Sequence, residues 1–200
     1  MIKSVSNFIT GYLHKNNASL SLTDLMKIDY AIQMILGDLA KLIIISLIFI
    51  SLNQFSLFLF SYIILFSTRP IAGGIHSKTF VGCLTSSIMH FLIVVIFSAL
   101  LPKLSTYYYV IFFIISLVII GLYAPSVNTN RPIKNKAKLK VLSLISFTFW
   151  MIVFFQIQDT KISNCILMST FLQIIQLIIL YIKGVVSNGK VHKLSSSHLT

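Results

Sequence analysis

Residues 42–66 read LIIISLIFISLNQFSLFLFSYIILF, two apolar runs parted only by Asn53 and Gln54. Each run is shorter than the ~20 apolar residues that cross a hydrocarbon core. Three arrangements are open: two spans lengthened by their flanks, a re-entrant hairpin, or one long helix. The choice sets the side of every later segment. Four clearer runs follow: Leu84 to Leu101 before Pro102, Tyr107 to Tyr123 before Ala124-Pro125, Val141 to Ile157, and Ile162 to Ile182.

The positive-inside rule distinguishes the arrangements, because Lys and Arg flanking spans collect on the cytoplasmic face. With two spans or a hairpin, every Lys and Arg except Lys103 and Lys161 falls on one side. With one long helix, Lys3, Lys15, Lys27 and Lys41 move across and the asymmetry weakens. The expected fold is therefore an all-α polytopic membrane protein of about six transmembrane helices, or four plus a re-entrant hairpin. Both termini and the loops rich in cations are expected on the cytoplasmic side.

Composition agrees: the chain is 56% hydrophobic and only 10% charged, with a mean hydropathy of +0.93, far from a soluble domain. The net charge is +12, from 16 Lys and Arg against 4 acidic residues, all aspartate. Such a surface suits anionic headgroups or an acidic partner. Residues 1–200 are read as a single membrane-embedded domain, with 184–200 a polar, basic tail expected to be flexible and cytoplasmic. At the other end, Ile2, Val5, Phe8, Ile9, Tyr12 and Leu13 recur at helical spacing opposite Lys3, Ser6, Asn7 and Thr10. This is an amphipathic helix, lying on the bilayer surface or packed on the domain. Ser21 or Thr23 is positioned to cap the helix after it, with Asp24 in its first turn.

Chemistry-bearing residues gather in one stretch, Arg69 to Cys83, which reads RPIAGGIHSKTFVGC. A thiol becomes a nucleophile when its thiolate is stabilised by an imidazolium, by cations or by a helix N-terminus. His76, Lys78, Arg69 and a helix start near Ser77 or Thr79 offer all three. Seven residues on one straight helix would hold His76 and Cys83 about 10 Å apart along the axis, too far for base and nucleophile. Gly73-Gly74 must therefore fold the histidine back, the helix must start after it, or the partners must come from two subunits. Spacing alone also permits Cys83 to be a packed hydrophobe and His76 an interfacial cap.

Other chemistries fit less well. Without glutamate there is no H-E-x-x-H zinc site, and there is no G-x-S-x-G turn for a serine nucleophile. No aspartyl G-x-G-D pattern occurs, and Asp29 and Asp38 suit an interior polar pocket or the interface. His76, Cys83 and His90 would string three ligands over about 20 Å of helix, so no metal or other cofactor is expected. Cys165 reads as packing, and two cysteines this far apart make no disulfide framework. Arg131, Lys134, Lys136, Lys138 and Lys140 form a basic loop that either anchors topology or attracts the carboxylates of an acidic segment. Nucleic acid is not expected as a partner, because the aromatics lie in the spans rather than among the cations.

The pattern R-x-x-x-G-G-x-H from Arg69 to His76, with Cys83 seven residues on, resembles the core motif of the accessory gene regulator protein B family. These are membrane cysteine peptidases that process quorum-sensing propeptides. Tyr123-Ala124-Pro125, then Arg131-Pro132-Ile133, and the Met34, Gly37, Lys41 and Leu42 helix extend the resemblance over nearly the whole chain. It implies Cys83 as nucleophile and His76 as base, with Arg69 and Gly74 supporting them. Gly73, Ser77 and Lys78 are further candidates for the turn and the oxyanion. The implied substrate is a small propeptide with an amphipathic N-terminal part and an acidic C-terminal tail, which the basic loop would dock. The implied reaction is removal of that tail through an acyl-enzyme thioester, followed by closure of a thiolactone or lactone ring. Pro70 and Ile75 depart from the residues many members carry there, which bears on peptide selection. Membrane lipids are expected contacts, and a homodimer is expected of a small enzyme with an uncovered active face. The rival reading is a non-catalytic peptide exporter or a membrane scaffold for a signalling system.

Overall fold

A computed structural model of the chain describes the backbone of residues 2–17, 20–75, 79–126 and 135–196, with side chains described as far as Gly184. Among them are seven helices: α1 (Ile2–Asn16), α2 (Leu22–Ser51), α3 (Phe55–Ala72), α4 (Phe80–Leu100), α5 (Thr106–Tyr123), α6 (Lys136–Gln156) and α7 (Thr160–Ser196). Six of these, α2 to α7, are long and apolar enough to cross a membrane. The protein is an all-α, multi-pass membrane protein. The chain divides into two compact units, residues 1–55 and 56–200.

In the first unit α1 packs on α2. The contact centres on the polar edge of α1, with Ile2, Ile9 and Leu13 of its apolar stripe half-buried beside it. Ser6 is fully buried and donates to both the backbone carbonyl and the carboxylate of Asp29. Thr10 Oγ1 lies 3.5 Å from the same carboxylate, and Gln33 Nε2 donates to it at 2.7 Å. Phe8 and Tyr12 point outward, 77% and 64% exposed. A soluble amphipathic helix would be turned the other way. Apolar side chains lose nothing by facing lipid, while buried polar groups gain by meeting one another. Asp38, by contrast, pairs with Lys41 on its own helix at 2.5 Å.

Ser21 caps α2, accepting from the Asp24 backbone N–H at 3.2 Å. The helix ends at Ser51 because Asn53 turns into the left-handed region, φ 57°, a conformation asparagine tolerates better than most residues. The single-long-helix reading of 42–66 is thereby excluded, since α2 and α3 are separate helices of spanning length. Replacing Asp29 by alanine removes the carboxylate that accepts from Ser6 and Gln33, leaving Ser6 its bond to the backbone carbonyl and Thr10 its bond to the Ser6 carbonyl. Amide exchange over α1 is expected to rise about tenfold, the scale of losing a buried charge-assisted bond. Unchanged exchange would show that apolar contacts hold α1 instead.

The second unit is organised on α7, whose apolar segment is 44% buried, the largest share of the six. It packs against α4, α5 and α6 and is tied to α3 by Ser61–Ser169, 3.2 Å. Each helix turns a small hydroxyl inward: Ser61, Ser98, Ser116, Ser143 and Ser169 are all buried. Such residues let membrane helices approach closely. Cys165 is packed among them in a core with Ile64, Val94, Phe113 and Trp150. Trp150 Nε1 donates to Ser67 Oγ at 2.8 Å, joining α6 to α3. Asn164 on α7 donates to the Ser98 and Leu101 carbonyls at 3.3 and 2.8 Å, satisfying the end of α4. A second buried cluster, Ala72, Ile120, Ala124, Phe147 and Leu177, lies where α3 and α5 end.

Candidate functional site

The site is the junction between α3 and α4, built from the end of one helix, a braced turn and the start of the next. Arg69 and Pro70 lie in the last turn of α3, which closes with the Gly73 N–H on the Arg69 carbonyl, 2.9 Å. Gly73 then takes φ +94°, the left-handed region where glycine pays no Cβ penalty. A Cβ at Gly73 would fall on Ser126 Oγ. At Gly74 it would lie 2.6 Å from Arg69 Nε and 3.0 Å from its Cγ. The two glycines thus have different jobs, one letting the chain turn against its neighbour and one letting the Arg69 side chain fold across it.

Several contacts hold this turn. The Arg69 guanidinium donates to the Ile75 carbonyl, spanning Gly74. Ser126 N–H donates to the Ala72 carbonyl at 3.0 Å. Ser126 follows the cis Ala124-Pro125 bond, so the segment after α5 backs the turn. From α7, Gln173 Nε2 donates to the Gly73 carbonyl at 2.6 Å. Ala72 beneath it is fully buried in the second core cluster, which anchors the turn to the bundle.

His76, Ser77 and Lys78 lie outside the described residues. Description resumes at Thr79, the N-cap of α4, whose Oγ1 accepts from Gly82 N–H at 3.1 Å. The Cys83 N–H then makes a first helical bond to the Thr79 carbonyl, 3.0 Å. Cys83 is a half-buried thiol in the opening turns of α4, where the unpaired N–H groups and the dipole favour negative charge. Of the three ways round the spacing objection, the structure has the helix starting after His76: α4 opens at Phe80.

His90, two turns further along α4, is buried against Phe91, with Nδ1 3.5 Å from Gln176 Nε2. In the basic loop, Arg131 and Lys134 are outside the described residues. Lys136, Lys138 and Lys140 are exposed in the opening turns of α6, behind the Asn135 N-cap. Cations at a helix N-terminus oppose its dipole; helix stability does not account for them.

Arg69, Gly73, Gly74 and Cys83 thus sit at the two ends of one short junction. Gln173 and Ser126 escaped the sequence reading. Gln173 carried a signal, since glutamines inside a span are rare and mark interior contacts. Ser126 carried none beyond its place after Tyr123-Ala124-Pro125.

These features define a polytopic helical membrane protein with a reactive residue type at the mouth of one span and a glycine turn braced by its own helix and from two others or their ends. The model of the family AgrB, Accessory gene regulator B, matches residues 6–177. The chain belongs to that family, and with it to the accessory gene regulator system. It is 53% identical over 193 residues, 96% of each chain, to a putative AgrB-like protein of Clostridium beijerinckii. It is 28% identical over 151 residues, 74% of this chain and 79% of the other, to accessory gene regulator protein B of Staphylococcus aureus strain JH9. The counterpart from Staphylococcus haemolyticus strain JCSC1435 is 29% identical over 152 residues, covering 72% and 77%. No solved structure matches the chain.

Proposed function

We propose that the protein is a membrane cysteine endopeptidase that removes the C-terminal tail of a small quorum-sensing propeptide and promotes closure of a thiolactone or lactone ring. One observation carries this reading: Cys83 opens a membrane helix directly after a turn that is over-determined by Arg69, Gln173 and Ser126. A structural loop in a membrane protein has little use for so many fixed contacts, whereas catalysis requires its groups held within fractions of an ångström.

In this reaction the Cys83 sulfur attacks the carbonyl joining the signal segment to its tail. The C–N bond breaks, His76 delivers the proton to the departing amine, and an acyl thioester remains on Cys83. A thiol or hydroxyl within the bound segment then attacks that carbonyl, gives up its proton to His76 and releases Cys83. Exchange of one thioester for another is nearly isoenergetic, so the ring forms only where water is excluded and the internal nucleophile is held close. Backbone N–H groups of the Gly73-Gly74 turn, with Ser77 and Lys78, are the oxyanion candidates. Arg131, Lys134, Lys136, Lys138 and Lys140 attract the acidic tail. Catalysis takes place on the cytoplasmic side, where the cation asymmetry of the sequence puts this junction.

The test is reconstitution of the full chain in proteoliposomes with a propeptide that has an amphipathic N-terminal part, an internal cysteine and an acidic tail, followed by intact-mass analysis. Expected are a released tail and a Cys83 adduct of the remaining mass. An intact propeptide after prolonged incubation with folded protein would refute the peptidase assignment. For sidedness, an impermeant maleimide should label Cys83 in inside-out vesicles and spare it in intact cells; fast labelling from outside would overturn the cytoplasmic placement.

A further inference from the structure

We propose that Gln173 is a positioning residue for this site: from the middle of α7 it fixes the Gly73 carbonyl and so sets where the chain leaves α3 for Cys83. This rests on the peptidase reading of the junction, and adds to it a residue that lies 100 positions from its partner in the sequence.

Gln173 is 1% exposed within a membrane span. Its Nε2 donates to the Gly73 carbonyl at 2.6 Å. A carbonyl can only accept, so the amide must present its NH2 to Gly73, and its orientation is dictated. The other half of the amide, Oε1, is buried with no hydrogen-bond partner among the described residues. An unsatisfied acceptor is a cost that leucine or methionine would avoid at this position. The amide earns its place through the one bond it makes, and that bond goes to the turn.

The turn needs such a donor. Gly73 stands at φ +94° just past the last helical residue, so its carbonyl points away from the α3 ladder and finds no helical N–H. Ser126 holds the preceding carbonyl and Arg69 the carbonyl of Ile75. Gln173 holds the carbonyl between them, at the residue where the chain direction changes. Without it the turn is pinned on both flanks and loose at its centre. A shift of about 1 Å there is carried to the thiol's surroundings and is enough to cost about a hundredfold in rate.

Two apolar variants of similar size remove the donor: Gln173→Met and Gln173→Leu. The first measurement needs no activity. Hydrogen exchange of the full chain in nanodiscs, read on peptides covering residues 71–75, should quicken by about threefold to tenfold in Gln173→Met, the scale of one lost hydrogen bond. Exchange in the rest of α3 to α7 should stay as in wild type. Unchanged exchange at the turn, an equal rise throughout the bundle, or failure of both variants to fold would each overturn the positioning role. This arm stands even if the wild type cleaves nothing, so failure of the peptidase reading is separately visible.

The second measurement is single-turnover acylation of Cys83 by the same propeptide. Both variants should lower the maximal rate about tenfold to a hundredfold with half-saturation within about twofold of wild type. Gln173→Asn, an amide one methylene short, should fall between. A wild-type maximal rate in Gln173→Met, or a loss confined to half-saturation, would refute the assignment.

Discussion

Cys83→Ala should leave a folded membrane protein that processes no propeptide. Removing the nucleophile of a covalent mechanism lowers turnover by about 10⁴-fold or more, because the remaining groups then have no bond to make. The fold should tolerate the change. Cys83 is half-buried in the opening turns of α4 and is not among the buried residues of the two core clusters described above. A shift in stability within about 1 kcal/mol is expected for a site of that kind. Cys165→Ala is the matching control and should behave in the opposite way. Cys165 is fully buried among Ile64, Val94 and Trp150, so losing its sulfur opens a small void and costs about 1 kcal/mol. Processing below the melting temperature should remain at wild-type rate. Comparable processing by Cys83→Ala and wild type would remove the catalytic assignment, and with it the distinction between the two thiols.

Gly73→Ala should be the next most severe, for a conformational reason. At φ +94° an alanine meets the penalty that L-residues carry in the left-handed region, about 1–3 kcal/mol. Its Cβ would also fall on Ser126 Oγ, so the turn or the segment after α5 must move. Displacing the turn by about 1 Å is expected to cost about a hundredfold in rate. Ser126→Gly in the Gly73→Ala background clears the overlap and leaves φ as it is, so activity should return in part only. Gly74→Ala acts differently, because its Cβ meets the Arg69 side chain, which can swing away. That variant loses the clasp on Ile75 rather than the turn itself, and should resemble Arg69→Ala in rate. Wild-type processing by Gly73→Ala would show that the turn geometry is not used in catalysis.

The separation of these effects reflects how the junction is made. Sequence reading named Arg69, Gly73, Gly74, His76 and Cys83 because they stand close together, and it recognised that a straight helix could not join the last two. It offered Ser77 or Thr79 as the helix start, and local chemistry selected Thr79, whose hydroxyl reaches the Gly82 N–H while its carbonyl takes the Cys83 N–H. It could not find Gln173 or Ser126 as parts of the turn, since a glutamine within an apolar run says only that some polar partner exists. Nor could it orient α1, where amphipathic spacing gives a stripe and leaves open which side faces protein. Ser6 and Thr10 face Asp29, with Ile9 and Leu13 half-buried beside them, while Phe8 and Tyr12 face outward.

By itself, then, the sequence determined the apolar runs and the helical class, the amphipathic first helix, and the junction where the chemistry gathers, and it left open whether 42–66 makes two spans or a hairpin. Those depend on transfer from water to hydrocarbon, on capping and on backbone preference, all local quantities that a linear pattern records. Tertiary structure alone decided which polar groups meet within each unit: Asp29 with α1, Asn164 with the end of α4, Gln173 with Gly73. Lipid is as apolar as a leucine-lined interface, so hydropathy does not choose between helix faces; hydrogen bonds and close packing do, and these exist only once the helices are side by side.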